Sequence, residues 1–187
     1  MKKKYIFIDL DGTILDHHTH KVPESTTVAL KMAKENGHEI ILATGRPPGL
    51  FYGIETQLGF DSFVAANGRV VVSKGEVIYE QPISRDLIEA VLALAQAYKV
   101  DIACESMDGF ILETNYDKIY VKFCDHFHLQ YPELQPGYYK HKSIYQMSLF
   151  YEKDDFKKFE EIVPELSFEF ACPYGIDVNT LGGFNEV

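Results

Sequence analysis

The sequence has no tryptophan, only three cysteines, and a shortage of positive charge, with 18 Lys+Arg against 28 Asp+Glu for a formal charge of −10. That balance disfavours nucleic acid and anionic membranes as partners, because both reward basic surfaces. Cys104, Cys124 and Cys172 are odd in number and widely spaced. With no CxxC pair they suggest neither a disulfide framework nor a zinc knuckle, and they read as reduced thiols of a cytoplasmic protein. No apolar run approaches the roughly 20 residues that span a bilayer. The basic start Met1-Lys2-Lys3-Lys4 leads into only four apolar residues before Asp9, too few for the core of a signal peptide. What remains is 187 residues, 46% apolar and 25% charged, a balance that excludes a disordered chain. The length suits one domain, or one domain with a smaller insert.

The pattern along the chain predicts an α/β fold. Tyr5-Ile6-Phe7-Ile8 is a short run without alternation, which suggests a strand covered on both faces. Pro23 to Asn36 reads as a helix with Val28, Ala29, Met32 and Ala33 on one face. A strand over 38–43 follows, then a helix from Pro48 to Leu58 and a third strand over 62–66. Strand–helix–strand–helix–strand order predicts a doubly wound, mostly parallel layer. The pattern then changes. A hairpin turns at Lys74-Gly75, and an amphipathic helix covers Ser84 to Tyr98. Strands are expected over 101–105, 110–114, 143–151, 167–171 and 175–180. A further helix runs from 154 to 163, capped by Asp154. Ile119 to Phe123 gives no clear signal, and 126–142 reads as a long connection. The expected division is residues 1–81 as a partial α/β core, 82–180 as an α+β module, and 181–187 as a return toward the core.

The chemistry-bearing residues cluster at strand ends. Asp9-Leu10-Asp11-Gly12-Thr13 ends the first strand, and alternation lets Asp9 and Asp11 project to the same side. In open α/β sheets ligands bind beyond these carboxyl ends. Two carboxylates this close repel unless a cation joins them or one takes a proton. A plain surface turn would not require two acids after four apolar residues. Thr44-Gly45-Arg46 ends the second strand with a hydroxyl, a glycine amide and a helix start, a set suited to phosphate oxygens. Asn67-Gly68 ends the third strand at the same edge.

On these residues the chain resembles the haloacid dehalogenase-type phosphatases, in their Cof-like branch with an α/β cap (type IIB). Asp9-Leu10-Asp11-Gly12-Thr13-Ile14-Leu15 matches the first family motif, Ala43-Thr44-Gly45-Arg46 the second, and Ala66-Asn67-Gly68 the usual third-strand ending. The resemblance implies a Rossmann-like core sheet with an α+β cap, and a hydrolase for a small phosphorylated metabolite such as a sugar phosphate or a phosphorylated cofactor. It implies Asp9 as nucleophile, forming an aspartyl-phosphate, and Asp11 as the acid and base with a raised pKa. Mg²⁺ would sit between the Asp9 carboxylate and the Asp11 carbonyl oxygen. Thr13, Thr44 and Gly45 would hold phosphate oxygens, and Arg46 and Asn67 would contact substrate or support the residues that do.

The same resemblance implies a third motif with a lysine and a fourth with further metal-binding acids, both after the cap. Here Leu181 to Val187 ends the sequence, with Glu186 where the lysine is expected, so the reading is of a truncated enzyme. A non-catalytic phosphate-binding or interaction protein is the alternative. An open edge on the Asp9 strand would invite pairing, hence an expected homo-oligomer, or local disorder, at that edge. His17, His18 and His20, and separately Asp125, His126 and His128, have spacings that could catch a metal, but a solvated loop explains each. Tyr116, Tyr120, Phe127, Tyr131, Tyr138 and Tyr139 suit either a cap face over substrate or ordinary packing.

Overall fold

The computed structural model describes residues 2–16, 18–153 and 155–181. The chain forms two compact units, residues 1–47 with 51–80, and 48–50 with 81–187.

The first unit is a five-stranded sheet of β1 (Tyr5–Ile8), β2 (Glu39–Ala43), β3 (Phe63–Ala65), β4 (Val70–Ser73) and β5 (Glu76–Glu80), paired in sequence order. β1, β2 and β3 are parallel, and β4 and β5 return antiparallel through the Lys74-Gly75 turn, where both residues have positive φ. The crossovers are α1 (Glu24–Glu35) and α2 (Ile54–Leu58). Right-handed crossovers running one way across a sheet put both helices on one face. Burial follows that rule. Ile40, Leu42, Phe63, Ala65, Val70 and Val72 are buried, whereas Tyr5 and Phe7, of opposite parity, are 62% and 61% exposed.

Two expectations are corrected here. Among the described residues β1 is not covered on both faces: Ile6 and Ile8 are half-buried, while Tyr5 and Phe7 are exposed. Nor does α1 bury Val28 and Met32, which are about half exposed, while Ala29 is exposed and Leu30 is buried. The helix is rolled so that Leu30 and the Lys34 stem face inward. Lys34 Nζ donates to the carbonyls of Leu58 (3.0 Å) and Gly59 (2.5 Å), satisfying the end of α2. The expected helix from Pro48 is also broken, into one 3-10 turn at Pro48–Leu50 and α2. Tyr52 and Gly53 take positive φ between them, a conformation that a continuous helix cannot contain.

The second unit is an antiparallel sheet of β6 (Asp101–Glu105), β7 (Phe110–Leu112), β8 (Gln146–Phe150), β9 (Leu166–Cys172) and β10 (Gly175–Thr180), in the order β7-β6-β8-β10-β9. One face carries Ile102, Cys104, Met147, Leu149, Ile176 and Val178. It packs on α3 (Arg85–Tyr98), through Ile88, Val91, Leu94 and Ala95, and on Phe159 of α5 (Lys158–Ile162). Each such fully buried side chain contributes roughly 1.5–3 kcal/mol. The other face meets α4 (Ile119–Phe127), where Phe123 and Cys124 pack on Ala103, Phe110, Phe150 and Cys172. α4 gave no clear signal because Ile-Tyr-Val-Lys-Phe-Cys is rich in strand-favouring residues. Its start is fixed by side chains. Asp101 accepts from the amides of Tyr116 and Lys118, and Asp117 from that of Ile119. The expected Asp154 cap lies outside the described residues.

Candidate active site

β1 leads directly into the acidic loop. Leu10, Ile14 and Leu15 are buried and anchor the loop to the core. The Ile14 amide donates to the carbonyls of Asp9 (3.3 Å) and Leu10 (3.1 Å), and the Leu15 amide donates to that of Leu10 (2.8 Å). Gly12 sits at φ +71°, a backbone state that glycine adopts without steric cost. Leu10 turns inward, and Asp9, Asp11, Gly12 and Thr13 are exposed.

Parallel register brings the three strand ends together. Ile8 lies opposite Leu42, and Ala43 opposite Val64, so the residues after β1, β2 and β3 emerge along one rim. The Thr44 amide donates to the Val64 carbonyl (2.9 Å), and the Ala66 amide to the Arg46 carbonyl (3.0 Å). Thr44 is buried, and its Oγ1 accepts from the Arg46 amide (3.1 Å). Asn67 Oδ1 lies 2.9 Å from where a Cβ on Gly45 would stand, so glycine is what lets that amide side chain approach. Ala66 and Asn67 both have positive φ, which turns the chain at this corner.

The decisive contact is electrostatic. Arg46 donates to both oxygens of Asp11, Nε to Oδ2 at 2.8 Å and Nη2 to Oδ1 at 2.6 Å. This fork joins the end of β1 to the end of β2, with the arginine side chain 19% exposed. Forked arginine–carboxylate pairs are among the stronger surface ion pairs. One part of the expected phosphate cradle is weaker than the sequence suggested. Only a single 3-10 turn follows Arg46, so no full helix directs its N-terminus at this rim.

The family-model match decides the affiliation: the chain fits the haloacid dehalogenase-like hydrolase model over residues 6–182. It belongs to that family. It is 33% identical over 192 residues to the putative phosphatase YkrA of Bacillus subtilis, a match covering 98% of this chain and 70% of YkrA. A hypothetical protein of Geobacillus kaustophilus superposes with a TM-score of 0.89 at 31% identity, over 97% of this chain and 71% of that one. The subclass IIB sugar phosphatase BT4131 superposes with a TM-score of 0.73 at 25% identity, over 97% of this chain and 71% of BT4131. This chain thus spans about seven-tenths of the length of each of these relatives.

For a metal, the loop offers the Asp9 carboxylate and the backbone beside Asp11. Among the described residues, no group of three or more His, Cys, Asp or Glu side chains converges on a metal position. His17 lies outside the described residues. His18 and His20 are exposed in a turn held by Asp16, whose Oδ1 accepts from the amides of His18 and Thr19 and from the Thr19 hydroxyl. The Thr19 bonds hold the Asp16 carboxyl below its usual range. Asp125 accepts from Tyr131 Oη (2.6 Å), and His126 stacks edge-on to Phe127. Tyr138 and Tyr139 are buried packing residues, Tyr120 lies against Phe150 and Phe127 against Phe123, while Tyr116 and Tyr131 are exposed.

Sequence reasoning missed two features. Arg69 is 2% exposed and donates to the Ala66 carbonyl (3.3 Å), bracing the third strand end from beneath. In the second unit, a polar row runs across the sheet. Glu105 lies opposite Gln146, and Ser148 opposite Asp177. Ser148 Oγ donates to Glu105 Oε1 (2.6 Å) while Glu105 Oε2 has no partner. Burial, then the Asp177 charge, pushes Glu105 up to about 8. Burial, then Glu169, pushes Asp177 up to about 7. The alternation of Gln146 and Ser148 with Met147 and Leu149 was the available signal.

Proposed function

We propose that this chain carries the nucleophile half of a Mg²⁺-dependent phosphatase acting on a small phosphorylated metabolite, a sugar phosphate or a phosphorylated cofactor. The observation that carries the reading is the fork between Arg46 and Asp11, which ties the first two strand ends into one polar rim. An Asp9 oxygen attacks phosphorus and the bond to the leaving oxygen breaks, giving an aspartyl-phosphate. Asp11 hands its proton to that leaving oxygen. Water then attacks phosphorus, returns a proton to Asp11 and releases Asp9 with inorganic phosphate. Mg²⁺, held by the Asp9 carboxylate and the Asp11 carbonyl oxygen, would offset repulsion between nucleophile and phosphate. Thr13, Thr44 and the Gly45 amide hold transferring oxygens. Arg46 exchanges Asp11 for the phosphate dianion, and the freed Asp11 carboxylate takes from solvent the proton that it passes to the leaving oxygen. Asn67 borders the leaving group.

We read residues 82–180 as the cap that selects substrate. The sugar-phosphate class is supported by the likeness to BT4131, titled a sugar phosphatase. A cytoplasmic location is supported by three free, buried cysteines. Among the described residues, no helix is long and apolar enough to cross a membrane. The test is hydrolysis of p-nitrophenyl phosphate with and without Mg²⁺, beside Asp9→Asn. Turnover that needs both the metal and Asp9 supports the proposal. Equal turnover by the variant removes Asp9 as nucleophile.

A further inference from the structure

The polar row of the second unit carries charge of one sign only. Gln146 and Ser148 alternate with Met147 and Leu149 along β8, and Asp177 and Asn179 with Ile176 and Val178 along β10, so these polar residues share the face turned away from α3. Cross-strand pairing sets Glu105 beside Gln146, Ser148 beside Asp177, and Asp177 beside Glu169. Burial is graded along the row. Glu169 is exposed and Asp177 half-buried, while Glu105, Ser148 and Asn179 are each 1% exposed. The row is therefore open to solvent at its Glu169 end. Among the described residues, no Lys, Arg or His pairs with any of the three carboxyls. Two buried oxygens, Glu105 Oε2 and Asn179 Oδ1, have no hydrogen-bond partner. Val178 lies opposite Met147, which brings Asn179 beside Gln146. Glu105 and Asn179 thus flank Gln146, roughly 10 Å apart across two strand spacings.

We propose that this face binds a protonated amine, and that the phosphorylated metabolite the chain selects carries one. A buried acceptor without a donor is costly, and a buried carboxylate without a counter-charge more so. An ammonium group brings three donors and a positive charge, which answers both needs at once. A sugar hydroxyl would donate to one oxygen and leave the charge uncompensated. A bare metal ion finds too few ligands, because no three His, Cys, Asp or Glu side chains converge among the described residues. Burial, then a neighbouring carboxylate, pushes both Glu105 and Asp177 up, and a bound cation supplies what these groups otherwise take as a proton. Ser148 holds Glu105 Oε1 (2.6 Å), which leaves Oε2 for the ligand. The inference rests on reading residues 82–180 as the cap that selects substrate.

Calorimetric titration of the 187-residue chain at pH 7, with EDTA present to prevent turnover, tests it. The probes are glucosamine 6-phosphate and glucose 6-phosphate, which differ by an ammonium in place of one hydroxyl. The expected result is a Kd at least about tenfold lower for glucosamine 6-phosphate. Glu105→Gln keeps the shape and removes the charge, so it should abolish that preference and leave the Kd for glucose 6-phosphate within about twofold. Far-UV circular dichroism checks that the variant stays folded. Equal affinity for the two sugars overturns the proposal, as does a preference that survives Glu105→Gln, or no binding of either at millimolar concentration. The p-nitrophenyl phosphate assay contains no amine and reads the strand-end rim by itself, so failure of the phosphatase reading shows there and failure of this inference shows in the comparison of sugars.

Discussion

Replacing Glu105 by Gln should change how stability depends on pH. Glu105 is 1% exposed, accepts a hydrogen bond from Ser148, and feels the charge of Asp177. It titrates near 4.5 when unfolded and at about 8 in the fold. The native state therefore keeps a proton that the unfolded state has already released. Its contribution to stability is complete below pH 4.5 and is lost as pH rises toward 8. At about 1.4 kcal/mol per pH unit the whole interval amounts to about 5 kcal/mol. Coupling to the Asp177 charge, and relaxation around the ionised carboxylate, bring the expected loss to roughly 2–3 kcal/mol. Gln has the same shape and does not titrate. The variant should match the parent within about 1 kcal/mol at pH 5 and exceed it by roughly 2–3 kcal/mol at pH 9. Urea unfolding followed by far-UV circular dichroism at pH 5, 7 and 9 measures this, and the absence of tryptophan makes the backbone signal the better probe. Parallel pH profiles for the two proteins would refute the reasoning. So would a parent that grows more stable from pH 5 to 9.

Two further substitutions probe other parts. A Cβ at Gly175 would stand 2.4 Å from Phe123 Cδ2 and 2.7 Å from Cε2, so Gly175→Ala should push α4 off the sheet and cost about 1–3 kcal/mol, read as a lower urea midpoint. Arg46→Met removes the fork on Asp11 and should raise KM for p-nitrophenyl phosphate about tenfold or more, and an unchanged KM would deny Arg46 a place at the phosphate.

Much of the site was legible because its signals are local. A four-residue apolar strand followed by two acids, and a second ending in Thr-Gly-Arg, need only parallel pairing to meet. The structure supplies that pairing as Ile8 beside Leu42. The fork between Arg46 and Asp11 was not legible. It joins residues 35 apart, and side-chain direction at a strand end depends on how the loop is anchored, here by Leu10, Ile14 and Leu15. The α1 face was misread because Val28 and Met32 satisfy helical spacing as well as Leu30 does. Only the packing partner tells which stripe is inner. α4 was missed because its β-branched and aromatic residues favour strands locally, and burial of Phe123 and Cys124 against β8 and β6 outweighs that preference.

The sequence alone thus determined most of the strands, the helices α1 and α3, and the identity of the acids, hydroxyl and glycine at the strand ends. These follow from periodicity, turn chemistry and motif spacing, all properties of neighbouring residues. Tertiary structure decided which face of β1 and α1 is covered, that Arg46 grips Asp11, and that Glu105 and Asp177 meet within one sheet. Each of those depends on what a distant segment brings alongside, and burial and charge act through space without regard to distance along the chain.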